Sequence, residues 1–200
     1  DVTGIGLPGE KRGIIPSHEW KLANQGRVWT PGETVVSSIG QGYVLATPLQ
    51  LAVMTARLAN GKQAVTPRLI KSIGDTVPDF APLDIDPYAL AIIRKGMFQV
   101  MNGGLGTARN YDLDKSLGGM AGKTGTVQVK RITKAQREEG VINNIDRPWA
   151  ERDHALFVAY APVKRPRYAI SVVVEHGGSG SSTAAPVARD ILPQLMQKQG

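Results

Sequence analysis

Three segments of the chain combine helix-like spacing of apolar residues with helix start and stop signals. In ATPLQLAVMTARLANGK, Thr47 is suited to cap a helix, Pro48 suits its first position, and Asn60-Gly61 provides a stop. The apolar residues of this segment cover nearly every side of the helix, which predicts that it is buried.

The other two helices each have a single apolar stripe. One is predicted to begin at Asp86-Pro87 and to end near Asn102-Gly103-Gly104, with a stripe formed by Leu90, Ile93, Met97 and Val100. The other lies in SSTAAPVARDILPQLMQKQ, where Ser182 or Thr183 is expected to cap it. Its apolar face is expected to comprise Val187, Ile191, Leu192, Leu195 and Met196.

After Gly119 the pattern changes to β-branched and aromatic runs. GTVQV, ALFVAYAP and RYAISVVVEH predict three strands, and VKRPR predicts the turn between the last two. The polar segment from Lys130 to Arg152 predicts a long, partly mobile excursion with Trp149 docked near the next strand. The first forty residues, rich in Gly and Pro, predict loop with short structured pieces. Together these patterns predict an α/β (α+β) fold in which helices cover an antiparallel sheet.

Composition narrows the possible functions. The chain has 42% hydrophobic and 20% charged residues, which is ordinary for a globular protein, and its net charge of +7 is dispersed. The sequence has no stripe of interleaved basic and aromatic residues, which is the pattern that would indicate a nucleic-acid partner. The absence of cysteine excludes thiol catalysis, thiolate metal sites and disulfides.

No apolar run is long enough to span a bilayer, and the chain starts without Met or a signal pattern. We therefore expect an internal or processed piece whose export or anchoring segment lies outside it.

The stretch GGMAGKTGTVQVKR at residues 118–131 contains a Gly-Lys-Thr run that two kinds of site share. A phosphate-binding loop requires a glycine five residues before Gly122, where the chain has Leu117. Such a loop also lies between a strand and a helix, whereas TVQV after this run has strand character. Spacing and flanks therefore exclude the nucleotide-binding interpretation.

The alternative is an acyl-transfer site on a strand. Along a strand Lys123 and Gly125 point one way and Thr124 and Thr126 the other, so one ligand contacts all four only along an open edge. There the lysine provides a cation, the threonines provide hydroxyls for a carboxylate, and Gly125 permits close approach. A main-chain N–H of this strand is suited to stabilise an oxyanion. An exposed strand with ordinary polar residues remains an open alternative.

Longer segments extend this interpretation. Lys-Thr-Gly is the third signature of serine β-lactamases and penicillin-binding proteins. IGQGYVLATPLQLAVMTARLANGK, AGKTGTVQV, RDHALFVAYAPV and YAISVVVEHGGSGSSTAAPVARDIL resemble class B penicillin-binding proteins, most closely those of rod elongation in Gram-negative bacteria. The resemblance covers most of residues 1–200 in the expected order and implies the C-terminal part of a transpeptidase domain.

The resemblance also implies roles for individual residues. Lys123 is similar to the lysine that positions substrate and supports proton transfer, and Thr124 and Thr126 to the carboxylate-binding hydroxyls. The backbone amide of Thr126 resembles one of two oxyanion donors. Gly40, Gln41 and Gly42 match the family's supporting turn before the first long helix.

By resemblance, the substrate is a peptidoglycan stem peptide ending in D-Ala-D-Ala, and β-lactams are its covalent mimics. A membrane glycosyltransferase and other elongation-complex proteins are the implied partners, no cofactor is implied, and the location is the periplasmic face of the inner membrane.

Two signatures of the family do not occur in this sequence. No serine begins an S-x-x-K motif, no S-x-N or S-x-D triplet is present, and Ser37-Ser38 have no neighbouring Lys or His. We expect the nucleophile to lie upstream, so this chain alone is expected to be inactive. A β-lactam-hydrolysing or sensing protein of the same fold, and a non-catalytic peptide-binding fragment, remain alternatives.

Two further features have structural explanations that we favour. His18, His154 and His176 have no metal-ligand spacing and are expected to be structural or surface residues. The EHGGSGSST segment is expected to be a glycine loop with a helix cap, although it is also suited to anion binding through its N–H groups.

Overall fold

The computed structural model describes residues 1–70, 79–130, 138, 140 and 142–197. Within these residues there are five α-helices and one three-stranded antiparallel sheet. The helices are α1 His18–Gln25, α2 Pro31–Ser38, α3 Pro48–Asn60, α4 Pro87–Asn102 and α5 Ala185–Gln197. The strands are β1 Ala121–Val127, β2 His154–Ala161 and β3 Tyr168–Val174, in the order β1-β2-β3. The predicted combination of helices with an antiparallel sheet is confirmed.

Both faces of the sheet are covered by helices. On one face, Phe157 of β2 and Val172 of β3 are paired in register and pack with Leu192 of α5. On the other face, Ala121 and Tyr160 pack with a second cluster contributed by Ala59 of α3 and Met97 of α4. The sheet is therefore the middle layer, and alternate residues along β2 contribute to two different cores.

Helix α3 has the predicted boundaries. The Thr47 hydroxyl accepts a hydrogen bond from the Gln50 N–H at 3.1 Å, and Gly61 ends the helix in the left-handed conformation at φ 65°. The expectation that α3 is buried all round is wrong, because Met54 is 43% exposed while Thr55 is fully buried. Only one side of α3 faces the sheet, and Met54 lines an open cleft with Leu83 and Ile85.

Helix α4 also begins and ends where the sequence predicts. Asp86 caps it by accepting a hydrogen bond from the Ala89 N–H at 2.7 Å, and Gly103 follows its last residue. Leu90 and Met97 are buried as predicted, but Ile93 is exposed and Met101 is buried instead. The buried stripe thus turns toward the start of β1, against which α4 packs.

Helix α5 differs from its prediction in both cap and face. Ser179 caps a turn of π-helix, Gly180–Ala184, that precedes α5, so neither Ser182 nor Thr183 is the cap. The Thr183 hydroxyl instead donates to the Gly177 carbonyl oxygen at 2.8 Å. Of the predicted apolar face, Leu192 is buried and Met196 is partly buried, while Val187, Ile191 and Leu195 are exposed. The sheet is met by the small residues Ala184, Ala185 and Ala188, which allow a closer approach than branched side chains would.

The predicted strands are present with shifted ends. Strand β1 begins at Ala121, earlier than the GTVQV run, and ends at Val127, so Gln128 and Val129 lie beyond it. The first forty residues contain the short helices α1 and α2, which agrees with the expected short structured pieces.

The excursion between β1 and β2 is described only in part. Residues 131–137, 139 and 141 lie outside the described residues, and the expected mobility stays a prediction. From residue 142 onward there are two 3-10 turns, Asn144–Asp146 and Trp149–Glu151. The Trp149 ring contacts the His176 ring at a centroid distance of 4.2 Å, close to the start of β2 as expected. In the helices of residues 1–70, 79–130 and 142–197, we find none with the length and hydrophobicity to cross a bilayer.

Candidate active site

The outer edge of β1 is the open edge that the sequence analysis required. Strand β1 pairs with β2 along its whole length, from Ala121 opposite Tyr160 to Val127 opposite His154. It is the terminal strand of the sheet, so within the described part of the chain no strand pairs with its other side. The main-chain groups on that side are available to an extended ligand.

Burial changes sharply along β1. Ala121 and Gly122 are buried, whereas Lys123, Thr126 and Val127 are exposed. The start of the strand is fixed beneath α4, where the Asn102 side-chain amide donates to the Met120 carbonyl oxygen at 3.3 Å. The motif therefore begins where the strand leaves the core.

The four motif residues alternate about the strand as predicted. Thr124 and Thr126 are opposite Phe157 and Ala155, whose side chains belong to the core under α5. Lys123 is opposite Val158, which packs in the cluster beneath α3 and α4. The threonines and the lysine thus lie on opposite faces, and only the open edge brings them to one ligand.

Lys123 and Thr124 have identifiable partners. The Lys123 ammonium group is exposed and donates to the Thr124 carbonyl oxygen at 2.8 Å. The Thr124 hydroxyl lies 3.1 Å from the Thr107 hydroxyl in the loop after α4. Thr107 was not found by sequence reasoning, since a single threonine in a loop carries no motif signal.

The glycine-rich loop after β3 contacts β1 at the centre of the motif. A Cβ atom added to Gly180 would overlap the carbonyl oxygens of Gly125 and Leu156. Gly180 is therefore required where the π-helical turn crosses the β1–β2 pair. The EHGGSGSST segment, expected to be a loop and helix cap, thus also packs against the main chain of β1 at Gly125, the residue before Thr126.

The remaining candidates lie in two places. His154 and His176 are in contact, since the His176 main-chain N–H donates to His154 Nδ1 at 2.9 Å. The His18 ring lies against the Trp29 ring, tilted by 42° with the ring centroids 5.4 Å apart. Among the residues that the structure describes, no group of three or more His, Cys, Asp or Glu side chains is placed to hold a metal ion.

The Gly-Gln-Gly segment forms a turn between α2 and α3. Gly40 and Gly42 have φ angles of 75° and 72°, a conformation that favours glycine. Ser37 and Ser38 are at the end of α2, and the Ser38 hydroxyl donates to the Val35 carbonyl oxygen at 2.7 Å. The two glycines thus allow the chain to turn between the end of α2 and the start of α3.

Comparison with known proteins gives a consistent result. The penicillin binding protein transpeptidase domain matches residues 1–193 of this chain. The peptidoglycan D,D-transpeptidase MrdA of Haemophilus influenzae is 37% identical to this chain over an alignment of 205 residues. The alignment covers 98% of this chain and 31% of that protein.

Two solved structures have the same fold. Pseudomonas aeruginosa PBP2, solved in complex with WCK 5153, is 38% identical with a TM-score of 0.77, covering 96% of this chain and 38% of that one. Helicobacter pylori PBP2, solved in complex with MreC, is 33% identical with a TM-score of 0.79, covering 98% of this chain and 33% of that one. The chain spans about a third of the length of these relatives. Because the domain match extends over nearly all of its residues, this chain belongs to the family of penicillin-binding protein transpeptidase domains.

Proposed function

We propose that this chain is the C-terminal part of the transpeptidase domain of a peptidoglycan D,D-transpeptidase and carries its substrate-binding strand. The observation that supports this proposal most is the open edge of β1, where Lys123, Thr124, Gly125 and Thr126 are accessible from one side. A stem peptide ending in D-Ala-D-Ala adds to this edge as a further strand. Its main chain is then held by hydrogen bonds, and its terminal carboxylate lies beside the threonine hydroxyls.

The chemistry divides between this strand and residues outside the chain. A serine hydroxyl from an S-x-x-K motif attacks the carbonyl carbon of the penultimate D-Ala, and the terminal D-Ala leaves after accepting a proton. The amide of Thr126 donates to the developing oxyanion together with the amide of that serine. The amino group of a second stem peptide then displaces the serine from the acyl-enzyme and forms the cross-link. β-Lactams acylate the same serine because they present a carboxylate and a reactive amide.

Lys123 contributes positive charge to this reaction. Its ammonium group is exposed and already points to the main chain of β1, through the hydrogen bond to Thr124. In the complete site we propose that it positions the substrate and supports proton transfer through the serine of the S-x-N motif. The role is electrostatic, since the side chain contributes little to packing.

The relatives suggest a cellular context. A complex with MreC has been solved for the Helicobacter pylori relative. We propose that the complete protein works with elongation-complex proteins and a membrane glycosyltransferase. Its location would be the periplasmic face of the inner membrane, with an anchor outside these 200 residues.

The decisive experiment replaces Lys123 in the complete protein. Lys123→Ala is expected to lower the acylation rate with a fluorescent penicillin by about 10²–10³, the usual effect of losing one positioned electrostatic group. The melting temperature should stay close to that of the wild type, because Lys123 is exposed. Lys164→Ala, which removes an exposed charge from the turn between β2 and β3, is the matched control. Acylation that is unchanged by Lys123→Ala would overturn the proposal.

A further inference from the structure

One buried carboxylate joins the end of β1 to the segment that leads into β2. Asp153, immediately before β2, is 8% exposed. Its Oδ1 accepts a hydrogen bond from the Val129 N–H at 3.3 Å, two residues beyond the end of β1. Arg147 Nη1 lies 3.4 Å from Oδ1 and 3.5 Å from Oδ2 of the same carboxylate. The charge of Asp153 is thus paired, which a buried carboxylate requires.

The main chain of Asp153 makes two further connections. Its N–H donates to Asn144 Oδ1 at 2.9 Å, and its carbonyl oxygen accepts from the Gly178 N–H at 2.8 Å. Gly178 belongs to the glycine-rich loop that crosses β1 at Gly180, two residues later. A single residue therefore contacts both the continuation of β1 and the loop that packs against β1 at Gly125.

These connections bracket Thr126. On one side of it along the strand the loop lies against Gly125, and on the other side the Val129 N–H donates to the Asp153 carboxylate. The ladder with β2 ends at Val127, and the outer edge of β1 has no strand partner in the described residues. The hydrogen bond to Asp153 thus extends the connection with the β2 segment two residues beyond the end of the ladder, and without it the main chain after Val127 would lose this restraint. Small displacements of positioning groups are costly for binding and reaction.

We propose that Asp153, held by Arg147, is a positioning residue that sets the distance between Thr126 and the Gly178–Gly180 loop. It thereby determines how tightly the site binds the substrate carboxylate. The inference rests on the proposed function of β1 and adds to it a residue outside the Lys-Thr-Gly motif that acts on carboxylate recognition.

The test compares two ligands that differ only in the carboxylate. In the complete protein, stopped-flow acylation gives the dissociation constant and the acylation rate constant for a penicillin and for its methyl ester. Asp153→Asn keeps the size of the side chain but presents an N–H donor in place of a carboxylate oxygen. We expect it to weaken binding of the penicillin about tenfold, comparable to losing one charge-assisted hydrogen bond, and to change binding of the ester much less. In a Thr126→Ala background the same substitution should have little further effect, since both act on one interaction.

An ion pair at the same place provides the control. Lys130 and Glu151 join the same two segments at 2.7 Å, but their side chains are 50% and 38% exposed. Lys130→Met should leave the ratio of penicillin to ester affinity unchanged, because exposed pairs contribute little.

The outcomes separate this inference from the proposed function. Equal weakening of both ligands by Asp153→Asn, or a fall in melting temperature with an unchanged affinity ratio, would show a purely structural role and overturn the inference. If Asp153→Asn does not fold, Arg147→Gln removes the pairing charge, and an unchanged ratio in that variant has the same consequence. If Lys123→Ala loses acylation but Asp153→Asn does not change the ratio of penicillin to ester affinity, the proposed function is supported and the inference about Asp153 is overturned.

Discussion

The first two strands of the sheet are paired residue by residue, yet they contribute to the molecule in different ways. In β2, Ala155, Phe157 and Ala159 are completely buried. In β1, by contrast, side chains become accessible from Lys123 onward. The same hydrogen-bonded ladder therefore supports a strand that stabilises the core and a strand whose side chains are available for chemistry.

The difference follows from position in the sheet. Strand β2 is central and is covered on both faces, so a polar side chain at a fully buried position such as Phe157 would be costly unless it found a hydrogen-bond partner. Strand β1 is terminal, and its polar residues keep their contact with solvent at little desolvation cost. A terminal strand beside a rigid central one combines accessible groups with a fixed backbone, which is what a positioned binding site requires.

The largest expected effect tests whether stability is concentrated in β2. Phe157→Ala removes a fully buried ring from the core beneath α5 and should lower the free energy of unfolding by about 3–5 kcal/mol. Urea unfolding of the complete protein, followed by circular dichroism, measures the loss. Val127→Ala, at the 41% exposed end of β1, should change it by no more than about 0.5 kcal/mol. Similar losses in the two variants would contradict the contrast between the strands.

Local signals in the sequence were sufficient for much of the fold. The ends of α3 and α4 follow from Thr47, Gly61 and Asp86, because caps and stops act within a few residues of the chain. The alternation of Lys123 and Thr124 about β1 follows from strand geometry alone. Both kinds of signal are independent of the rest of the structure.

Other features depend on contacts that no local pattern records. The buried face of α5 contains Ala185 and Ala188 beside Leu192, whereas the larger Ile191 is exposed, because close approach to the sheet selects small residues. The same holds for the site. Gly180 contacts Gly125 across more than fifty residues of sequence, because the π-helical turn packs across the β1–β2 pair.

A smaller effect is expected where the glycine-rich loop joins the two strands. Gly180→Ala introduces a Cβ atom that would overlap the Gly125 and Leu156 carbonyl oxygens, so the loop must move. We expect a loss of roughly 1–3 kcal/mol in the free energy of unfolding, typical of overpacking. The loss should be accompanied by weaker binding of penicillin, since the loop that packs against β1 at Gly125, next to Thr126, is displaced.

The control for this substitution is another glycine with free space. At Gly96, on the exposed side of α4, an added Cβ meets no atom within 4 Å. Gly96→Ala should therefore stabilise the protein by roughly 0.5–1 kcal/mol through helix propensity. Stabilisation by Gly180→Ala as well would show that the loop does not bear on β1.

The smallest effect is expected outside the sheet, where a polar contact rather than a core joins α1 to α2. The Lys21 ammonium group donates to the Glu33 carboxylate at 2.6 Å, and the Thr30 N–H donates to it at 2.7 Å. These hydrogen bonds, that from Lys21 foremost, lower the pKa of Glu33 from 4.5 to about 2. Because the pKa is lowered on folding, the stabilisation is present above pH 4.5 and is lost as the pH falls toward 2.

The difference in melting temperature between the wild type and Glu33→Gln should therefore be constant near neutral pH and shrink steadily below pH 4.5. Glu175→Gln, at an exposed position after β3, is the matched control and should show no such trend. A difference for Glu33→Gln that stays constant down to pH 2 would mean that the carboxylate charge does not hold α1 and α2 together.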